Sequence, residues 1–160
     1  MALPVCASCG LIPMPRTNAD RLPCVSMRHA PKHSRYLGRL LMEHWIELAK
    51  HIASTVDRDR AHISLIVRKN RLLAVGTNNW KTHPKTAEYG YMYPYLHSEL
   101  DAFRKIKTPN DKMVLYNFRF SKTGRLGMSK PCKFCMPWCS HVFDRIIYSN
   151  EEGKIINDRP

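Results

Sequence analysis

The stretch HISLIVRKNRLLAVG, residues 62–76, constrains the fold more than any other part of the chain. Two apolar, β-branched runs meet at Lys69–Asn70, so they read as two strands joined by a turn. Before them, Leu37, Leu40, Leu41, His44, Trp45, Leu48 and Ile52 recur at helical spacing, which predicts an amphipathic helix from Tyr36 to about Thr55. After them the pattern alternates. A helix runs from about His97 to Lys107 with Leu100, Phe103 and Ile106 inward, KMVLYNFRF is a strand, PCKFCMPWCSHVF a helix and RIIYS a strand. Helix, hairpin, then alternating helix and strand implies an α/β chain whose sheet is covered by packed helices.

Other segments lack this periodicity. Residues 1–34 hold five of the eleven prolines, with Cys6, Cys9 and Cys24, and read as an irregular extension before a domain spanning 35–160. Met27 is a plausible start in its own right, which makes the first 26 residues a candidate upstream addition. Residues 77–96, TNNWKTHPKTAEYGYMYPYL, read as a long polar and aromatic loop, a length usually tied to function. SKTGRLGMSK, 121–130, reads as a further loop, and the chain ends soon after GKIIND.

The chain carries 26 Lys and Arg against 13 Asp and Glu, spread without a basic tail, which favours an anionic partner such as a nucleotide or nucleic acid. Every apolar run is cut by Arg, Lys, His or Pro, so no membrane span is expected. The N-terminus MALPVCASCGLIPMP lacks the basic start and continuous apolar centre of an export signal. A cytoplasmic protein is expected. Two Cys-x-x-Cys pairs in such a chain point to metal or redox chemistry before disulfides.

The chemistry gathers in two short motifs, His97-Ser98-Glu99 and Pro131-Cys132-x-x-Cys135. Cys132 and Cys135, three apart, share one helix face, and a helix start favours the thiolate that binds zinc. His97 stands at the start of the other predicted helix, where it and Glu99 can converge. Two thiolates and one imidazole make three zinc ligands and leave a fourth tetrahedral position for water, as in a catalytic zinc site. Glu99 is the carboxylate placed to shuttle that water's proton.

His-x-Glu followed by Pro-Cys-x-x-Cys is the signature of zinc nucleobase deaminases. Over residues 35–150 the chain resembles the cytidine/deoxycytidylate deaminase superfamily, which includes tRNA adenosine deaminases. HSELDAF and SKPCKFC look most like deoxycytidylate-type and viral deaminase-like members. The resemblance implies a central mixed β-sheet of about four to five strands sandwiched by helices, a Zn2+ cofactor on His97, Cys132 and Cys135, and Glu99 as catalytic proton carrier. It also implies that Asn78, in the Gly-x-Asn of VGTNN, holds the sugar, with Asn79 as its alternative. Ser98 stands where the family usually has Ala and would offer its backbone N–H to the base, with its hydroxyl a candidate to narrow the pocket. The implied activity is hydrolytic deamination of a cytosine nucleotide, dCMP to dUMP, by a homo-oligomer. The alternatives are deamination of cytosine or adenine within RNA or single-stranded DNA, and a catalytically silent zinc-stabilised module that binds nucleic acid.

Several residues have a plainer reading beside a functional one. Cys139 is expected to be a buried core cysteine and not a fourth ligand, and His141 a surface or core residue. Cys6, Cys9, Cys24, His29 and His33 have loosely finger-like spacing, but an unstructured extension is the preferred reading. Trp80, Lys81, His83 and Lys85 suit a stacked nucleotide and its phosphate, with a solvated loop as the alternative.

Overall fold

The computed structural model describes residues 32–56, 60–91, 95–109 and 112–160. The candidate second zinc site at Cys6, Cys9, Cys24 and His29, with the His33 side chain, lies outside the described residues, as do residues 1–31 of the expected extension. The elements follow in order as α1 (Lys32–Thr55), β1 (Arg60–Arg68), β2 (Arg71–Thr77), β3 (Asn79–Thr82), α2 (Lys85–Glu88), β4 (Tyr95–Leu96), α3 (Ser98–Phe103), β5 (Val114–Ser121), β6 (Leu126–Gly127), α4 (Cys135–Val142), β7 (Arg145–Ser149) and β8 (Ile155–Asp158).

The expected hairpin forms where the sequence breaks. Lys69 and Asn70 take positive φ, 49° and 59°, as a two-residue turn of the primed type requires. β1 then pairs antiparallel with both β2 and β5, β5 pairs parallel with β7, and β7 pairs antiparallel with β8. With β6 on the far half of β5, these strands make a six-stranded mixed sheet of order β2-β1-β5-β7-β8. β6 and β8 arise in segments that the sequence pattern leaves as loop and tail.

Alternation along the strands splits the core in two. Ile63, Leu65 and Val67 of β1 and Val114, Tyr116 and Phe118 of β5 pack with Trp45 and Ala49 of α1 on one face. Ile66, Leu115 and Ile146 face the other way, against Leu100 of α3 and Cys139 of α4. The buried stripe of α1 runs through Met42, Trp45, Ile46, Ala49 and Ile52. Leu48 packs on the same cluster, so Trp45, Leu48 and Ile52 face the core as expected, whereas Leu40 is 45% exposed and His44 faces solvent.

Both site-bearing helices are shorter than expected. α3 ends at Phe103, and the next N–H groups, of Lys105 and Ile106, bond three residues back in tighter turns. α4 begins at Cys135, with Cys132 in the turn before it, where its carbonyl accepts the Met136 N–H at 2.9 Å. Pro137 therefore sits in the first turn of α4, where its missing N–H costs no helical bond. That is why it does not interrupt the helix.

The segment 77–96 is not a plain loop. β3 and β4 pair within it, and the register Asn79↔Leu96 sets Asn78 beside His97. Among the described residues no helix is long and apolar enough to cross a membrane.

Asp101 locks α3 to the end of β2. Its carboxylate accepts the Thr77 N–H at 3.1 Å, Arg104 Nη2 at 2.7 Å and Lys105 Nζ at 2.8 Å, while Lys105 also reaches the Val75 carbonyl at 2.8 Å. Burial alone would raise the Asp101 pKa, but Lys105, the Thr77 N–H and Arg104 together hold it below the ordinary carboxylate value. A depressed folded pKa stabilises the fold above the unfolded value and is lost as pH falls through the folded one. Asp101→Asn is thus expected to cost about 2 kcal/mol in urea unfolding near neutral pH. The gap from the parent protein should narrow as pH drops to about 2.5. An equal gap at both pH values would show that the charge is not what matters.

Candidate active site

His97 follows β4 in extended conformation, φ −75° and ψ 152°, and serves as the N-cap position of α3. This turns its imidazole toward the start of α4. His97 Nδ1 lies 3.5 Å from Cys132 Sγ and 3.4 Å from Cys135 Sγ, and the two sulfurs are 3.6 Å apart. Zn–S bonds of about 2.3 Å and Zn–N bonds of about 2.0–2.1 Å place tetrahedral ligand atoms roughly 3.5–3.8 Å from one another. The triangle, with two sulfur donors and one nitrogen donor, therefore fits a zinc ion. Cys139 is fully buried in the core and is not part of this cluster, and His141 is exposed with Nδ1 bonded to the Pro137 carbonyl at 2.8 Å.

The two sulfurs hold unequal charge. The Cys132 thiol is lowered to about 4 by a hydrogen bond with Cys135, against burial, with further help from His97 and the backbone N–H groups of Cys135 and Phe134. Cys135 is pushed up by that same bond and by burial. His97 is raised, chiefly by its hydrogen bond to Cys132 and against burial. A bound cation would displace the protons these groups share.

Glu99, 5% exposed, stands two residues on in the first turn of α3. Burial raises its pKa, partly offset by its own backbone N–H and by His97. Its carboxylate accepts Asn117 Nδ2 at 3.0 Å and the Ser98 hydroxyl at 3.3 Å. Asn117 is held in turn, because Nδ2 also donates to the Ser129 carbonyl at 2.7 Å and Oδ1 accepts from Ser64 Oγ at 2.9 Å. Ser64 Oγ lies 2.8 Å from Ser98 Oγ. The Ser98 hydroxyl is thus engaged with Ser64 and Glu99.

A cleft of about 250 Å³ opens beside this network, lined by Asn78, Trp80, Tyr95, Ser98, Glu99 and Lys130 among others. Asn78 Oδ1 accepts the His62 N–H at 3.1 Å, which fixes the carboxamide at the cleft wall. Trp80, 68% exposed, meets the edge of Tyr95 at 5.0 Å and forms the rim. Lys81, His83 and Lys85 do not line the cleft; among the described residues its basic side chains are Lys130, His62 and His97. Asn117 and Ser64 are site residues that motif reading missed. Ser64 interrupts the apolar run ISLIV and Asn117 the run VLYNF, and that was the available signal.

The sheet order and helix placement are those of the dCMP deaminase fold. A dCMP deaminase from the cyanophage S-TIM5, in complex with dCMP and dUMP, superposes with TM-score 0.50 at 17% identity, covering 69% of this chain and 82% of that one. The apo form of that enzyme gives TM-score 0.46 at 19% identity over 68% and 82% of the two chains. The family model described as the periviscerokinin family matches residues 7–17, outside the described residues. Comparison with curated protein sequences gives no match.

Proposed function

We propose that this protein is a zinc-dependent hydrolytic deaminase of a cytosine nucleotide, converting dCMP to dUMP with release of ammonia. The observation that carries the reading is one cleft lined by His97 and Cys132 of the His97–Cys132–Cys135 triangle and by the buried carboxylate of Glu99. Zinc, when bound by those three residues, supplies a Lewis acid that lowers the pKa of water toward neutrality. Glu99, whose burial favours protonation, takes a proton from the attacking water and returns protons to ring N3 and the departing amine. The C4–O bond forms, the C4–N bond breaks, and water in and ammonia out balance the reaction. Asn117 keeps the carboxylate aimed, Asn78 offers its Nδ2 to the sugar, and Ser98 offers its backbone N–H to the base.

Lys130 supports a phosphorylated substrate, since it is the lysine of the cleft wall. A charge-assisted contact of about 1.5–3 kcal/mol predicts a roughly ten- to hundredfold higher kcat/KM for dCMP than for deoxycytidine. Lys130→Ala should erase most of that advantage, whereas Lys81→Ala should not. The assay measures bound zinc and ammonia release from dCMP, deoxycytidine, a cytosine-containing oligonucleotide and an adenosine-bearing RNA hairpin. Turnover of a polymer but not of dCMP would replace this reading with a nucleic-acid deaminase. Zinc-loaded protein that turns over none of them would leave the binding module.

A further inference from the structure

Tyr91 has no part in the reaction as written, yet it touches the metal triangle from two sides. It is buried, with its hydroxyl 2.9 Å from Cys135 Sγ. The indole Nε1–H of Trp138 donates to that hydroxyl oxygen at 3.4 Å. An indole nitrogen only donates, so the phenolic oxygen accepts there. Toward Cys135 either atom can donate while the sulfur is a thiol, but a metal-bound thiolate has no hydrogen and leaves the phenol as the donor. The Tyr91 ring also stands edge-on to His97, centroids 4.7 Å apart at 79°, and stacks on Phe134 at 6.0 Å. One side chain thus contacts a thiol ligand, the imidazole ligand and the residue just before Cys135.

We propose that Tyr91 is a positioning residue of the metal site: through Trp138→Tyr91→Cys135 it donates a hydrogen bond to the ligand sulfur and fixes the plane of His97. This rests on the zinc reading of His97, Cys132 and Cys135. A bond to the thiolate draws electron density off sulfur, which leaves a bound cation the stronger Lewis acid. Outer partners of this kind orient the ligands, and their loss typically costs about 10–100-fold in metal affinity or activity. Sequence reading had no signal for Tyr91, because it lies in the aromatic run YGYMYPY, six residues before His97, with no recognisable spacing.

Tyr91→Phe keeps the ring and removes only the hydroxyl. Full-length parent protein and variant would be loaded with zinc or cobalt(II), with affinity read by chelator competition and sulfur-to-cobalt charge transfer by visible absorption. The expected result is about a tenfold or greater loss of zinc affinity and a charge-transfer band moved to longer wavelength, since the sulfur becomes more electron-rich. Trp138→Phe, which removes the donor to Tyr91, should shift both readouts the same way by less. Equal affinity and an unmoved band in Tyr91→Phe, with the parent binding one zinc, would overturn the role of Tyr91 alone. Parent protein that binds no zinc would overturn the site reading and this role with it. Should Tyr91→Phe fail to fold, an unmoved band and affinity in Trp138→Phe would overturn the relay.

Discussion

Glu99→Gln protein should hold a full equivalent of zinc, unfold at or above the parent's urea midpoint, and lose about 10²–10⁴ in kcat. The expectation follows from how the carboxylate is seated. It is buried and accepts from Asn117 and Ser98, and neither bond requires a negative charge. In the variant the amide oxygen still accepts from Asn117 Nδ2, and the Ser98 hydroxyl can turn to accept from the new amide N–H. Burial disfavours the charged form of Glu99, so a neutral isostere removes a desolvation cost and leaves packing intact. What it lacks is a site to take and return a proton. The checks are metal analysis, a denaturation curve and single-turnover ammonia release. Retained turnover would remove Glu99 from the chemistry, and lost zinc would show it to be a ligand.

Gly76→Ala is expected to give the largest stability loss of any one-carbon change in the sheet. A Cβ at Gly76 would overlap the Ser98 carbonyl oxygen and the Ala102 nitrogen and lie 2.8 Å from Ala102 Cβ. Two of those contacts are backbone of α3, which no rotamer change can relieve. The helix that carries Ser98 and Glu99 must lift off β2, which also strains the bonds of Asp101 to Thr77 and of Lys105 to Val75. Overpacking of a close-packed core costs about 1–3 kcal/mol and sometimes more, and a backbone clash belongs at the upper end. A drop of about 3 kcal/mol by urea unfolding, with weakened zinc binding, is the expected outcome. An unchanged midpoint would mean that α3 floats on β2 freely enough to accept a methyl group.

What could be read in the chain follows the reach of each signal. The β1–β2 hairpin, β5, β7 and the helix places come from local period and turn chemistry, and they form where expected. The two-residue strands β4 and β6 have no period to detect, and β8 shows itself only through pairing with β7. The start of α4 at Cys135 instead of Pro131 depends on where the turn containing Cys132 closes, which spacing does not determine. Among the site residues, His97, Cys132 and Cys135 stand in recognisable motifs and the structure brings them together. Asn117 reaches Glu99 through sheet order and Lys130 reaches the cleft through a loop path, both products of tertiary pairing. That Lys130 lines the cleft while Lys81 and Lys85 do not has the same origin, since Lys81 in β3 and Lys85 at the start of α2 both face solvent.

The division of the core into two faces has a consequence for how this chain tolerates change. Ser98 and Glu99 on α3, with Cys135 and Tyr91, lie on the α3–α4 side, while the α1 side is lined by residues such as Trp45, Leu65 and Phe118, none of which lines the cleft. Random substitution on the α1 face should therefore be scored by abundance alone, and substitution on the opposite face by abundance and turnover together. A mutational scan measuring both would separate into two populations along β1 and β5, alternating residue by residue with Ser64 and Asn117 on one side and Ile63, Leu65, Tyr116 and Phe118 on the other. The sheet thus gives the protein one face on which sequence can drift and another on which it is held in place.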